Sequence, residues 1–115
     1  MAQNSTDFAG NITATPELRH TGKTDVLNFC VAINERRRDA ESDEWVDAPV
    51  FVDVAVFGKR AVALSERLEK GMFVVVHGRL AFSKWVKDGQ THSKLSVVAD
   101  DLHFVKTKKR EEAVA

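Results

Sequence analysis

The sequence alternates between apolar and other residues over two long stretches, and this pattern restricts the chain to β-sheet structure. In residues 25–36 (DVLNFCVAINER) the apolar residues on one face of the strand are Leu27, Phe29, Val31 and Ile33. In residues 50–58 (VFVDVAVFG) one face carries Val50, Val52, Val54 and Val56. Because successive side chains of a strand point to opposite sides, we expect these two apolar faces to form the core.

The rest of the chain adds further predicted strands and one helix. The other predicted strands are 7–13, 72–87 with a break near Gly78, and 91–105. Residues 59–71 (KRAVALSERLEKG) change to helical spacing, which predicts a helix that stops at Gly71. Two polar stretches are predicted connections: 15–24, with Pro16 and Gly22 as breakers, and 36–49, an extended hairpin loop.

This order of three strands, one helix and two strands predicts an all-β protein. It is the order of an OB-fold, a five-stranded Greek-key barrel with one helix between strands 3 and 4. We assign residues 1–105 to this domain and residues 106–115 to a short, charged, disordered C-terminal tail. OB-folds present one face and its loops to oligonucleotides or oligosaccharides.

Composition narrows the class of protein. The 115 residues suit one domain, and no apolar run approaches the ~20 residues of a membrane span. The start of the chain lacks the charged and apolar regions of a secretory signal, so we expect a cytoplasmic protein. A single cysteine, Cys30, excludes an internal disulfide and a cysteine-pair zinc motif, and we expect it to be a buried or half-buried strand residue.

The charge balance does not by itself indicate nucleic-acid binding. The 17 basic residues are matched by 17 acidic ones, whereas nucleic-acid-binding domains are usually basic. The basic residues are nevertheless clustered, at 36–38 and 106–110. Positive patches can therefore exist on a neutral protein.

Trp85 has an unusual place in the predicted hairpin that turns at Asp88-Gly89. Alternation puts Leu80 and Phe82 on one face of the strand and Trp85 on the other, with Ser83 and Lys87. A tryptophan in this position either covers a subunit interface or offers its ring to a ligand. A base of single-stranded nucleic acid stacks on such a ring, worth ~1–3 kcal/mol, while flanking cations bind phosphates.

Two further segments combine aromatic and basic residues. Phe51 and Phe57 flank Asp53 on the face opposite the valines, and they are either DNA contacts or core or interface residues. In the 36–49 loop, Trp45 accompanies a run of three arginines, Arg36, Arg37 and Arg38. The alternatives are that Trp45 caps a neighbouring strand and that the arginines belong to a solvated charged loop.

Five stretches in a fixed order carry a family resemblance. They are GNITATPELRHT, VLNFCVAINER, FVDVAVFGKRA, LEKGMFVVVHGRL and KWVKDGQ. Over roughly residues 8–105 the chain resembles the bacterial single-stranded DNA-binding protein family. The resemblance implies an OB-fold that coats single-stranded DNA in replication, recombination and repair, without strong sequence preference. It also implies a cytoplasmic, nucleoid-associated homotetramer with no catalysis, no cofactor and no membrane partner.

The resemblance assigns roles to particular residues. The stacking aromatics of the family fall on Phe51, Phe57 and Trp85. A further stacking position falls near Arg37, whose guanidinium can also stack on a base, and Trp45 matches a tryptophan of the hairpin loop. The candidate phosphate contacts are Lys59, Arg79, Lys84 and Lys87, besides Arg36 in the loop. Family members usually end in a flexible linker and an acidic tip, where this sequence has KKREEAVA, so the resemblance does not extend to tip-binding partners.

Two other functions compete with this interpretation. A metal-dependent nuclease would need Asp53, Asp100 or Asp101 to converge with an arginine, and no spacing supports that. We expect Asp100-Asp101 to form a bulge or a surface pair, and the four histidines show no metal-ligand spacing, so no metal site is predicted. A structural OB module that binds protein, like the primosome-assembly relatives of the family, would suit the neutral charge.

Overall fold

A computed structural model describes residues 2–105, which form eight strands and one helix. In chain order they are β1 (Thr6–Ile12), β2 (Glu17–His20), β3 (Asp25–Ile33), β4 (Arg36–Arg38), β5 (Trp45–Asp47), β6 (Val50–Phe57), α1 (Lys59–Ser65), β7 (Phe73–Lys87) and β8 (Gln90–Val105). No helix in this range has the length and apolar character needed to cross a bilayer. The tail predicted at 106–115 lies outside the described residues.

The main sheet has six strands in the order β1-β7-β8-β6-β3-β2. β1 also pairs with β3, through Asn11 opposite Ala32 and Ile12 opposite Val31, and this pairing closes five of the strands into a ring. β6 and β8 run parallel, and the other pairs are antiparallel. The predicted all-β architecture with a helix after the third long strand agrees with this arrangement.

The core lies inside the ring and consists of the predicted inward faces. From β3 and β6 the buried side chains are Leu27, Phe29, Val31, Val54 and Val56. β7 adds Val74 and Val76, and Ala61 of α1 packs onto the same cluster. Val50 was expected in this set but is exposed, because it begins β6 at the edge of the core. The alternation read from the sequence therefore places the core correctly over most of its length.

The helix is shorter than the predicted 59–71. α1 ends at Ser65, whose hydroxyl donates a hydrogen bond to the Val62 carbonyl at 2.6 Å. Beyond it the chain turns so that Leu68 and Met72 are both buried in the core. Gly71 lies in the left-handed region, with φ of 90°, and it forms the turn into β7 rather than the helix stop.

The predicted connection at 15–24 contains a strand. β2 pairs antiparallel with β3, from Glu17 opposite Asn28 to His20 opposite Asp25. A tight turn joins them, in which the Thr21 backbone N–H donates to the Thr24 carbonyl at 2.8 Å. The prediction missed β2 because this edge strand has one apolar residue and so shows no alternation.

A β-bulge interrupts the pairing of β7 with β8 where the sequence predicted a break. His77 pairs with Asp101 and Gly78 with Ala99, which leaves Asp100 as the extra residue of β8. The Arg60 guanidinium donates a hydrogen bond to the Asp100 carbonyl and links the start of α1 to the bulge. Beyond the bulge the β7–β8 hairpin continues as a long two-stranded arm, here defined as residues 79–98. Val97 and Val98 at its base still pair with β6, and the rest of the arm extends past the ring.

Candidate nucleic-acid interface

A groove of about 530 Å³ crosses the outer face of the sheet. The side chains at its floor are small or slender. Ala55 of β6 lies opposite Asn28 of the neighbouring β3, and Asp53 lies opposite Cys30. Cys30 is half-buried there, as predicted. Phe57 lines one end of the groove and is 48% exposed. A planar ligand can approach this floor closely and meet an aromatic ring at its edge.

Residues of the arm also line the groove. Ala81 and Ser83 of β7 line it together with their cross-strand partners Ser96 and Lys94 of β8. Directly opposed residues of an antiparallel pair share one face of the sheet. The next such pair beyond Ser83 and Lys94 joins Trp85 to His92, so Trp85 lies on the groove face of the arm.

Trp85 is held by a stacking contact with His92. The two ring centroids are 5.7 Å apart and the ring planes differ by 21°. The imidazole covers one side of the indole, while Trp85 remains 43% exposed. In this chain the indole can therefore accept a stacked base on its uncovered side.

The charges that line the groove cancel. Arg19 of β2 pairs with Glu17 at 3.2 Å, and Lys94 of β8 pairs with Asp53 of β6 at 3.1 Å. Each of these four residues lines the groove. The surface is therefore locally polar and dense in charge without being strongly positive.

The sequence profile of the Single-strand binding protein family matches residues 3–105. The chain belongs to this family.

Curated relatives in the family agree with the match. The chain is 37% identical over 104 residues to the single-stranded DNA-binding protein of Borreliella burgdorferi, covering 88% of this chain and 68% of that protein. It is 34% identical to the protein of the same name from Treponema pallidum, covering 89% of this chain and 57% of that protein. The chain thus spans between about half and two thirds of these two relatives.

Solved structures in the family share the fold. The single-stranded DNA-binding protein of Thermus aquaticus superimposes with a TM-score of 0.78 at 30% identity, covering 90% of this chain and 51% of that one. A small single-stranded DNA-binding protein from Streptomyces coelicolor gives a TM-score of 0.70 at 26% identity, covering 94% and 99%. These family members have the OB-fold, so the predicted fold class is confirmed.

Family membership also decides against the nuclease alternative, because proteins of this family are non-enzymatic. The three carboxylates that a nuclease would need have separate environments. Asp53 pairs with Lys94, Asp101 lies 3.3 Å from His103, and Asp100 is the extra residue of the bulge. Within residues 2–105 no group of three or more His, Cys, Asp and Glu is arranged to hold a metal.

The structure separates the two predicted phenylalanines. Phe57 lies at the groove, whereas Phe51 lines a second cavity of about 560 Å³ with Leu80 and Leu95 of the arm. The ring of Phe51 is exposed, so it is not a core residue. Alternation alone grouped both rings on one face. β8 pairs with β6 at Val54 and Ala55, between the two rings, and the rings border different cavities.

The arginine run belongs to a small hairpin of its own, β4–β5, which lines neither the groove nor the cavity beside Phe51. Arg38 pairs with Asp43 at 2.7 Å, and Arg36 lies 3.8 Å from Asp47. Arg37 has no ion pair with any described residue, so its guanidinium is available to a ligand. Trp45 lies opposite Arg38, on the other face of the hairpin from Arg37, and its exposure does not fit the alternative of a strand cap.

The tip of this hairpin is fixed by Asp39. Its carboxylate accepts a hydrogen bond from the Ser42 hydroxyl at 2.8 Å and another from the Glu41 backbone N–H. Because these donors favour the charged form, the Ser42 hydroxyl foremost, they lower the pKa of Asp39. The turn that presents Trp45 is therefore stabilised at neutral pH by an ionised side chain.

The four predicted phosphate contacts outside the β4–β5 hairpin are all exposed but lie in different places. Lys87 shares the groove face of the arm with Trp85, and Arg79 shares it with Ala81. Lys84 lies on the opposite face of the arm. Lys59 begins α1, two residues after Phe57.

Sequence reasoning missed three residues that line or extend the groove: Arg19, His92 and Lys94. The Asp88-Gly89 turn contained the signal for two of them. A two-residue hairpin loop fixes the register, so it places His92 opposite Trp85 and Lys94 opposite Ser83. Arg19 could not be found in this way, since it lies in the strand that the sequence did not reveal.

Proposed function

We propose that this protein binds single-stranded DNA through the groove and the adjoining face of the arm, with little sequence preference. The observation that carries the proposal is a pair of exposed rings, Phe57 in the lining of the groove and Trp85 on the groove face of the arm. The groove between them has small side chains at its floor and is also lined by Arg19 and Lys94. Bases stack on the rings and phosphates bind the cations. Both a base and a phosphate recur in every nucleotide, so this mode of binding has little sequence preference. Trp45 and Arg37 are further candidate contacts on the β4–β5 hairpin, one on each of its faces.

In the cell such binding would coat and protect single strands during replication, recombination and repair, in association with the bacterial nucleoid. Membership of the single-strand binding family supports this role. No step of it requires catalysis or a cofactor.

A fluorescence titration with poly-dT tests the binding. The chain has two tryptophans and no tyrosine, so its emission reports on Trp45 and Trp85 alone. We expect quenching that saturates at a defined ratio of nucleotide to protein. The log of the binding constant should fall against the log of salt concentration by about 0.7 per phosphate neutralised. An absence of quenching at low salt, with no retention of single-stranded DNA, would favour the protein-binding module instead.

We further propose that the chain assembles with copies of itself, as a homotetramer. The face of the arm opposite Trp85 carries an exposed apolar strip, Leu80, Phe82, Val86 and Leu95. Phe82 is 66% exposed and Leu95 is 60% exposed, although they are directly opposed on the two strands. Contiguous exposed apolar surface of this kind typically marks a protein interface.

Replacing Phe82 by Asp should shift the protein from the tetramer to a species of lower mass, a dimer or a monomer. The charge would be buried without a partner if copies pack on this strip, while the single chain should still fold because Phe82 lies outside the core. Light scattering after gel filtration measures the mass. Ala63→Lys, an exposed change on α1, serves as the control and should leave the mass unchanged. If Phe82→Asp also keeps the parent mass, copies do not pack through this strip.

A further inference from the structure

The cations that line the groove are already occupied by carboxylates of the same chain. Lys94 and Asp53 reach each other from β8 and β6, and their side chains are 51% and 49% exposed. Asp53 lies between Phe51 and Phe57 along β6, so a negative charge stands within the proposed DNA-binding face. A phosphate that approaches Lys94 meets this carboxylate as a competitor.

The Lys94–Asp53 ion pair costs little free energy to break. A half-exposed ion pair is worth little to stability, since water screens it and ordering two flexible side chains costs entropy. Lys94 has three donors on a flexible stem and can turn from Asp53 to a phosphate without moving the backbone. When it does so, the Asp53 carboxylate loses its partner and faces the anionic backbone of the DNA.

We propose that Asp53 is an internal competitor that limits the affinity of the groove for single-stranded DNA by holding Lys94. Lys94 is accordingly a phosphate contact whose availability Asp53 determines. This inference depends on the proposed DNA binding and adds to it a specific exchange: the Lys94–Asp53 ion pair breaks as a Lys94–phosphate pair forms.

The first test measures binding of a short labelled dT oligomer by anisotropy over a range of salt concentrations. Asp53→Asn removes the competitor with nearly the same shape. We expect about 3- to 10-fold tighter binding at low salt, in the range of close charge effects at interfaces. The log–log salt slope should also become steeper by up to ~0.7, because Lys94 then neutralises one more phosphate and releases the counterion condensed on it. Glu66→Gln makes the same change in net charge outside the groove and should leave affinity within about twofold.

A double-mutant comparison separates competition from simple repulsion. Lys94→Gln alone should weaken binding and flatten the salt slope. If Asp53 acts by holding Lys94, the gain from Asp53→Asn should be larger in the parent chain than in a Lys94→Gln background. Equal gains in both backgrounds would show that Asp53 merely repels DNA, and they would overturn the exchange. An unchanged affinity in Asp53→Asn would do the same.

These outcomes are distinct from a failure of the proposed function. If the parent chain itself does not bind the oligomer, the proposed DNA binding is wrong. If the parent binds and Asp53→Asn binds no better, only the role of Asp53 is wrong. A drop in thermal stability without a change in salt slope would assign the pair a structural role and would also contradict the proposal.

Discussion

Replacing Trp85 by Ala is expected to weaken poly-dT binding by about 1–3 kcal/mol per stacked base, or ~5- to 150-fold. The physical reason is specific to the geometry of the arm. His92 covers one side of the indole and holds it, so the uncovered side is already oriented when a base arrives. Removing the indole ring removes the stacking surface, while His92 remains. Binding of a labelled dT oligomer, measured by anisotropy at fixed salt, gives the loss directly.

Two matched variants complete the Trp85 experiment. Trp85→Phe keeps an aromatic ring and should retain most of the affinity, because every base offers a π-face. Val105→Thr makes a change of little volume at the exposed end of β8, outside both the groove and the apolar strip of the arm, and it should bind like the parent. If Trp85→Ala binds as tightly as the parent, Trp85 has the other role open to it and covers a subunit interface.

Replacing Gly78 by Ala is expected to lower the free energy of unfolding by about 3 kcal/mol, near the upper end for an overpacked core position. A Cβ built at Gly78 would lie 2.1 Å from the Val98 carbonyl oxygen and 3.0 Å from its carbonyl carbon. Both are backbone atoms of β8, so the clash cannot be relieved by a side-chain rotation. The two strands must separate at the bulge, where Gly78 itself is buried. Urea denaturation at one protein concentration measures the change, because association contributes to stability.

Gly22→Ala is the matched control for this substitution. Gly22 lies in the turn between β2 and β3, and a Cβ there would meet no atom within 4 Å. The same chemical change should therefore alter stability by less than about 1 kcal/mol. If Gly78→Ala were equally harmless, β7 and β8 would have to be farther apart at the bulge than the structure places them.

Most of the fold followed from local pattern, and the failures have identifiable causes. The inward faces of β3 and β6 were predictable since alternate positions of a strand necessarily point to one side. β2 was not, because its pairing depends on a turn and on β3 rather than on its own residues. The helix end was misplaced for a similar reason: burial of Leu68 and Met72 redirects the chain before Gly71 is reached.

The candidate site shows the same division. Trp85 and Phe57 could be singled out from sequence, because an aromatic residue opposite an apolar face is unusual in a strand. The stacking partner His92 needed only the register of one tight turn. The second cavity beside Phe51 depends on where β8 pairs with β6, and that pairing joins residues far apart in the chain.

Which side of each long strand is buried, where the helix lies between two strands, and which aromatic residues are candidates for ligand contact could all be predicted from the chain alone. These properties follow from period-two alternation and turn chemistry, which act between near neighbours. The three-dimensional structure was needed to show that β1 pairs with β3, that Phe51 and Phe57 border different cavities, and that Lys94 pairs with Asp53. These contacts join strands distant in the chain, and their register is set by the packing of the whole core and the bulge at Gly78, which no local pattern specifies.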